Sequence, residues 1–151
     1  MPATITAITN QKGGVGKTTV AAALLSCLHQ RGARVLGVDL DPQGSLGFSL
    51  GLDIEHCQTI YDVFRGAAEP QDIIAHTETC DLMPSNILLS AAELEFNKPG
   101  REFLLKTALS KVQEGYVYII IDTPPALNIL TVNAYVAADS LIIPMAPEVL
   151  S

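Results

Sequence analysis

A glycine-rich segment near the N-terminus constrains the fold of this chain more than any other feature. Residues 9–20 read TNQKGGVGKTTV. They lie between a run rich in β-branched residues, Ala3–Thr9, and a segment with helical periodicity, Lys17–Arg31. A strand, a glycine loop and a helix in this order are typical of loops that hold phosphate groups. The pattern of such loops, G-x-x-x-x-G-K-[ST], would begin at position 11, where this chain has Gln11 followed by a second lysine, Lys12.

The glycine loop can bind phosphate mainly through its backbone. The glycines of GGVG let the main chain approach an anion closely, with N–H groups pointing toward it. The positive end of the helix that follows adds to the attraction. In this pattern Lys17 reaches the β- and γ-phosphates of a nucleotide and Thr18 binds Mg²⁺, while Thr19 is placed for the α-phosphate.

Composition limits the classes of protein that fit. The chain has 151 residues, of which 48% are hydrophobic and 17% charged, as expected for one globular domain. Nine basic residues against 16 acidic ones give a net charge of −7, which disfavours general nucleic-acid binding by these residues. No apolar run reaches the ~18 residues of a membrane span, and the N-terminus lacks the pattern of a signal peptide. Three scattered cysteines without zinc spacing indicate free thiols and a cytoplasmic protein.

Strand and helix patterns alternate along the rest of the chain. Apolar runs predict further strands at Arg34–Leu40, Thr79–Ser85, Tyr116–Asp122 and Ser140–Met145. Helical periodicity predicts helices at Thr59–Arg65, Ile87–Asn97, Glu102–Gln113 and Leu127–Ala138, with loops and small helices in the irregular segment 47–79. This alternation predicts an α/β fold with a mostly parallel, twisted sheet and helices on both faces.

The end of the chain does not fit a complete domain of this kind. A buried parallel strand is normally followed by a helix that covers it. After the last predicted strand only a few residues remain, which is too few for such a helix. We therefore expect residues 1–151 to form a single domain that lacks its C-terminal portion; the alternative is a complete small domain that ends at an edge strand.

Two acidic segments follow predicted strands. Asp122 ends the apolar run Val117–Ile121, where a carboxylate commonly lies near Mg²⁺ in phosphate-loop proteins. The segment VDLDPQGS places Asp39 and Asp41 at the end of the second strand. If the strand continued that far the two side chains would point to opposite sides, and one would face the nucleotide. Because ligands gather at the carboxyl ends of strands in open α/β sheets, these carboxylates are expected beside the glycine loop. The structural alternative for Asp41 is a carboxylate that caps a turn.

Together, KGGVGKTT, VDLDPQGS and YIIIDTPP closely resemble the ParA/Soj branch of the deviant Walker A ATPases, relatives of MinD. NAYVAADSLIIPMAPE is also similar, so the resemblance covers nearly the whole chain. It implies a P-loop NTPase fold that binds ATP and Mg²⁺. It further implies a homodimer that closes over two nucleotides and slow hydrolysis of ATP to ADP and phosphate, driving segregation of plasmid or chromosomal DNA.

The resemblance also implies roles for single residues. Lys12 would be the signature lysine, which crosses the dimer interface to the partner's phosphates, and Lys17 the P-loop lysine. Asp41 would orient the attacking water, and Asp122 would reach Mg²⁺ through water. The implied catalytic residues are Lys12, Lys17, Asp41 and Asp122. The implied metal site comprises Thr18, Asp41 and Asp122. The implied nucleotide-binding residues are Lys12, Gly13, Gly14, Val15, Gly16, Lys17, Thr18 and Thr19. The structural alternative for Lys12 is a solvated surface lysine.

Partners are implied in the same way. Family members run longer, and their additional part holds the adenine-contacting loop. In ParA-like members it also holds a basic surface that binds DNA without sequence preference. A ParB-like DNA-binding protein would stimulate hydrolysis, and the protein would be cytoplasmic and associated with the nucleoid.

Several other functions stay open. MinD-like relatives are membrane-associated positioning ATPases, although the DPQGS form favours ParA/Soj. A biosynthetic P-loop enzyme, of the dethiobiotin or cobyrinate amidation type, would instead activate a carboxylate. A reductase like the nitrogenase iron protein needs cluster-binding cysteines after Asp41 and near Asp122. Cys57 and Cys80 lie before Asp122, and no cysteine follows it. A non-catalytic, nucleotide-dependent scaffold is the remaining alternative.

Overall fold

Six strands form one sheet in the part of the chain that the computed structural model describes, residues 2–9 and 16–144. The strands are β1 (Thr4–Ile8), β2 (Val35–Asp39), β3 (Ala75–His76), β4 (Asp81–Met83), β5 (Tyr118–Asp122) and β6 (Ser140–Ile142). Their order across the sheet is β3-β4-β2-β5-β1-β6, and every pairing is parallel except that of β3 with β4. The predicted mostly parallel sheet is therefore confirmed.

Seven α-helices connect these strands in the described ranges. They are α1 (Lys17–Gln30), α2 (Ser45–Ser49), α3 (Ile60–Phe64), α4 (Pro70–Ile73), α5 (Ala92–Glu95), α6 (Leu104–Ser110) and α7 (Ile129–Ala137). Three 3-10 turns supplement them at Ile87–Ala91, Arg101–Phe103 and Gln113–Gly115. Within the described residues no helix is both long and apolar enough to cross a membrane.

The helices cover both faces of the sheet, as predicted. On one face α1 and α2 bury Leu25 and Leu46 against Val35, Leu82 and Ile120. The other face is larger and packs α3, α6 and α7 against the alternate residues of the same strands, such as Leu36 and Ile119. This alternation between two buried faces explains why the strands read as continuous apolar runs.

The sequence located the long elements and the short elements α3 and β4 correctly, and misjudged several other short ones. The helix predicted at Ile87–Asn97 is a 3-10 turn followed by the four residues of α5. The helix predicted at Glu102–Gln113 likewise divides into a 3-10 turn and α6. The antiparallel edge strand β3 was missed, because two residues give no periodicity to detect. The last predicted strand ends at Ile142, it is exposed along its length, and Met145 lies outside the described residues.

Candidate active site

The register of three neighbouring strands brings the candidate residues to one edge of the sheet. Asp122 at the end of β5 pairs with Ile8 of β1 on one side and with Asp39 of β2 on the other. Both carboxylates are fully buried. Helix α1 begins at Lys17, after the loop that follows β1. The start of α1 and the ends of β2 and β5 therefore converge at the carboxyl edge, as the sequence predicted for its acidic residues and the helix after the glycine loop.

The N-terminus of α1 is suited to an anion. Gly16 precedes the helix with a φ of 77°, a left-handed conformation that favours glycine. Among the described residues no side chain caps this end, and no acidic residue lies in the first turn. Since the first N–H groups of a helix have no partner within it, they remain available to a ligand. Lys17 is itself buried, with 8% of its surface exposed, so its charge is held within the site.

Thr18 and Asp122 are in direct contact. The Thr18 hydroxyl donates a hydrogen bond of 2.8 Å to Oδ2 of Asp122. Oδ1 of Asp122 is buried and has no hydrogen-bond partner among the described residues. Burial raises the pKa of the Asp122 carboxyl to about 6, and the charge of Asp41 raises it too, whereas the Thr18 hydrogen bond and the charge of Lys17 lower it. The carboxylate is thus held in an environment that favours an added positive charge.

Asp39 is a second buried carboxylate with a free oxygen. Its Oδ1 accepts a hydrogen bond of 3.0 Å from the backbone N–H of Asp41. Its Oδ2 is buried and, like Oδ1 of Asp122, has no partner in the described part of the chain. Burial raises the pKa of the Asp39 carboxyl well above its usual range, and the charge of Asp122 adds to this rise. Buried carboxylates without partners are costly unless a cation or a proton compensates them.

These atoms fit a small divalent cation. A threonine hydroxyl and carboxylate oxygens are the hard ligands that Mg²⁺ prefers. Across residues 2–9 and 16–144, no three His, Cys, Asp or Glu side chains converge closely enough to hold a metal alone. Such a sparse protein ligand set is usual for Mg²⁺, which keeps several waters and takes other ligands from substrate phosphates.

Asp41 lies on a loop just beyond β2, because the strand ends at Asp39. The alternation of strand side chains, which would have placed Asp39 and Asp41 on opposite sides, therefore does not extend to Asp41. Its Oδ1 accepts a 3.0 Å hydrogen bond from the backbone N–H of Gln43. This bond caps the turn, which is the role that the structural alternative predicted for Asp41. Oδ2 of Asp41 accepts no hydrogen bond from the described residues. Asp41 thus caps its own turn at the rim of the site.

Two buried side chains that support the site were missed from the sequence. The hydroxyl of Thr123 donates to the carbonyl of Ile8 at 2.8 Å and ties the residue after Asp122 to the end of β1. The hydroxyl of Ser85 donates to the carbonyl of Asp41 at 2.9 Å. The only sequence signal for either is a hydroxyl residue within two positions of the end of a strand, and this is too common to single them out.

The remaining predicted site residues are those of the glycine loop and Thr19. Lys12, Gly13, Gly14 and Val15 lie outside the described residues, so the roles assigned to them stay predictions. Thr19 lies exposed on the first turn of α1.

Comparison with known proteins places the chain in a family. The family AAA_31, described as an AAA domain, matches residues 3–151. Soj of Bacillus subtilis, described as a sporulation initiation inhibitor protein, is 49% identical over 95% of this chain and 58% of its own length. The chromosome partitioning protein ParA of Caulobacter vibrioides is 42% identical over 97% of this chain and 57% of its own.

Solved structures agree in fold. A cobyrinic acid a,c-diamide synthase from Mycobacterium smegmatis, solved with an ATP analogue and magnesium, has a TM-score of 0.92 and 42% identity. The match covers 95% of this chain and 60% of that one. A plasmid partition protein from Borrelia burgdorferi has a TM-score of 0.86 and 31% identity, covering 97% of this chain and 67% of that one.

The fold and the carboxyl edge of the sheet described above define a P-loop NTPase. Within that class, the chain belongs to the ParA/Soj-type ATPases. It spans rather more than half the length of these curated relatives.

The buried carboxylate of Asp122 predicts a dependence of stability on pH. Its folded pKa of about 6 exceeds the ordinary value of 3.8, so the folded state holds the proton more tightly. The contribution of this carboxyl to stability without ligand should therefore be fully present below about pH 4 and be lost as the pH rises through 6. At pH 7 we expect Asp122→Asn to raise the free energy of unfolding by about 1–3 kcal/mol, because the amide carries no charge.

Thermal unfolding in the presence of a chelator, from pH 4 to pH 8, measures this effect. The advantage of Asp122→Asn should shrink toward pH 4, and the exposed Asp72→Asn should show no such trend. A variant less stable than the parent protein at pH 7 would contradict the prediction.

Proposed function

We propose that this protein binds Mg-ATP at the carboxyl edge of its sheet and hydrolyses it slowly, as part of a homodimer that forms on ATP binding. The observation that carries the proposal is the Thr18–Asp122 contact at the N-terminus of α1, beside two buried carboxylate oxygens without described partners. Membership of the ParA/Soj-type ATPases supports it, as does the ATP analogue and magnesium in the related synthase structure.

The nucleotide would bind with its phosphates at the start of α1. The buried ammonium group of Lys17 would lie against the β- and γ-phosphates, where its charge is little screened. Thr18 would turn its hydroxyl oxygen to Mg²⁺, and Asp122 would hold a water bound to the metal. Bound Mg²⁺ neutralises phosphate charge and so favours transfer of the γ-phosphoryl group. The glycine-loop residues at positions 13–16 would supply the backbone N–H groups that surround the phosphates.

Hydrolysis would need a water aligned with the γ-phosphate. The water oxygen forms a bond to the γ-phosphorus while the bond from that phosphorus to the β–γ bridging oxygen breaks. ADP leaves with the bonding electrons, and the protons of the water pass to the phosphate products and solvent. Asp41 would accept a hydrogen bond from this water through its carboxylate. Its place on a loop at the rim, rather than in the strand, suits a group that meets a water instead of the metal.

The biological role is proposed from the relatives. Soj and ParA are named for sporulation control and chromosome partitioning, and the Borrelia protein for plasmid partition. We infer that this protein uses ATP to position or segregate DNA, with a ParB-like DNA-binding protein as its activator. Non-specific DNA binding would belong to a part beyond the present sequence. Association with the nucleoid in the cytoplasm belongs to the same proposal.

A second candidate function has one specific observation in its favour. The similar structure from Mycobacterium smegmatis is described as an amide-forming synthase. Such an enzyme would transfer the γ-phosphoryl group to a substrate carboxylate instead of to water. ATP consumption that depends on an added corrinoid carboxylate, and that ceases without it, would favour this function. Turnover stimulated by a ParB-like protein and DNA would favour partitioning.

Lys17→Ala should abolish tight ATP binding. Removing a buried charge that contacts phosphate oxygens costs about 1.5–3 kcal/mol, so affinity should fall by roughly 10- to 100-fold. Titration of the whole protein with a fluorescent ATP analogue and Mg²⁺ measures it, with the exposed Lys106→Ala as the matched control. If affinity were the same in the Lys17→Ala and Lys106→Ala variants, nucleotide binding at this edge would be refuted.

Asp41→Ala should separate binding from turnover. Because Asp41 holds the water and neither the metal nor the phosphates, the variant should bind ATP normally, stop hydrolysing it, and accumulate as an ATP-bound dimer. Phosphate release and light scattering measure the two effects, and the exposed Asp72→Ala is the control. Hydrolysis at the rate of the parent protein would show that another group orients the water.

Lys12→Ala distinguishes three roles of the second lysine. A surface lysine would have no effect when removed, and a lysine of its own pocket would weaken ATP binding as Lys17 does. If Lys12 reaches the partner's phosphates, monomer binding should persist while ATP-dependent dimerisation and hydrolysis both fall. Light scattering with ATP and Mg²⁺, beside a nucleotide titration, measures both. Normal dimerisation and turnover in Lys12→Ala would exclude a role across the interface.

A further inference from the structure

The loop that carries Asp41 is tied to the neighbouring strand by a buried serine. Ser85 lies two residues beyond the end of β4 and is fully buried. Its hydroxyl donates to the backbone carbonyl of Asp41 at 2.9 Å. Since β4 and β2 are paired through Met83 and Val38, the bond joins the loops that leave two adjacent strands at the same edge.

Other hydrogen bonds to Asp41 are local. Its N–H donates to Asp39, its side chain accepts from Gln43, and its carbonyl also accepts from the N–H of Gly44 at 2.9 Å. All of these come from residues 39–44. Among the described residues, Ser85 alone anchors Asp41 to a separate segment. Without it the turn can persist, held to the sheet by the hydrogen bond from the N–H of Leu40 to the carbonyl of Asp122, but Asp41 itself has no hydrogen bond to another described segment.

The packing around Gly44 holds the same loop from another side. Gly44 has a φ of 67°, and a Cβ there would lie 2.3 Å from the Cδ1 atom of Ile54 and 2.9 Å from the carbonyl oxygen of Ser85. Asn86 in turn donates to the carbonyl of Ile54 at 3.0 Å. The Asp41 loop is therefore confined between the segment after β4 and the segment at Ile54.

We propose that Ser85 is a positioning residue for ATP hydrolysis, which acts by holding the Asp41 loop in register with the end of β4. The inference rests on the proposed function, because it assigns Ser85 an effect on the water that Asp41 orients. Ser85 itself makes and breaks no covalent bond. Its removal should thus lower the rate of hydrolysis and spare the affinity for ATP, which depends on the separate segment at α1.

Steady-state hydrolysis by the whole protein tests the kinetic part. Losing one hydrogen bond worth about 1–1.5 kcal/mol predicts that Ser85→Ala lowers kcat by roughly 10-fold. KM for ATP should stay within about 2-fold of the value for the parent protein, because interactions that bind the ground state and the transition state equally are not changed. The control is Ser90→Ala, whose exposed hydroxyl donates only to Ile87 in its own turn, and it should be neutral. Ser85→Cys, of similar size but a weaker donor, should lie between Ser85→Ala and the parent protein.

Amide hydrogen exchange tests the tie itself. In Ser85→Ala we expect the amides of Asp41, Gln43 and Gly44 to exchange roughly 10-fold faster, with α1 unchanged. Hydrogen exchange does not require ATP hydrolysis. It therefore distinguishes a failure of the Ser85 proposal from a failure of the proposed function. If the parent protein hydrolyses no ATP, the proposed function fails, and hydrogen exchange still tests whether the Ser85 hydrogen bond holds the Asp41 loop.

Three results would overturn the inference. The first is parent-like kcat in Ser85→Ala or Ser85→Cys. The second is a loss of ATP affinity in Ser85→Ala as large as in Lys17→Ala, because Ser85 would then serve binding. The third is unchanged exchange of the Asp41 loop.

Discussion

The in-register pairing of β2 with β5 is the constraint on which the site depends. It sets Asp39 opposite Asp122 at the last position of each strand, so both carboxylates are buried side by side at one edge. The backbone N–H of Leu40 extends the pairing by donating to the carbonyl of Asp122 at 2.8 Å. A shift of either strand by one residue would turn one carboxylate to the opposite face and into the apolar core. The sheet register therefore fixes the spacing of the two carboxyl groups at this edge.

Burying two carboxylates together is unfavourable, and the rest of the fold has to offset it. The strands that carry them are covered on both faces by apolar layers, with Leu36 and Ile119 on one face and Val35 and Ile120 on the other nearly or wholly inaccessible. The free energy gained by burying apolar surface on this scale is far larger than the cost of burying the two carboxylates. The unfavourable charge is thus tolerated by the fold while it favours any ligand that brings a compensating cation. Such a ligand binds the folded state and stabilises it by linkage.

Much of this arrangement could be predicted from the sequence, and the remainder has a physical explanation. The long apolar strands and α1 carry strong periodicity, and the strand ends identify Asp122 and the VDLDPQGS segment without structural information. The tertiary ties at Ser85 and Thr123 could not be found, because a single hydroxyl gives no pattern and its partner is 44 or 115 residues away. The divided helices were also missed, since a 3-10 turn and a short α-helix bury similar side chains at similar spacing.

The site divides into a fixed part and an adjustable part. Asp122 cannot move without breaking the pairings of β5 with both of its neighbours, and Thr18 is held by the first turn of a 14-residue helix. Asp41, in contrast, is held by four hydrogen bonds on a loop, each worth about 1 kcal/mol net. Under the proposed function, binding of phosphate and metal would rely on the parts of the site that are held by the sheet and by α1. Alignment of the water would rely on a loop that a contacting molecule could shift for a few kcal/mol. The rate of hydrolysis could then be regulated from outside without loss of the bound nucleotide.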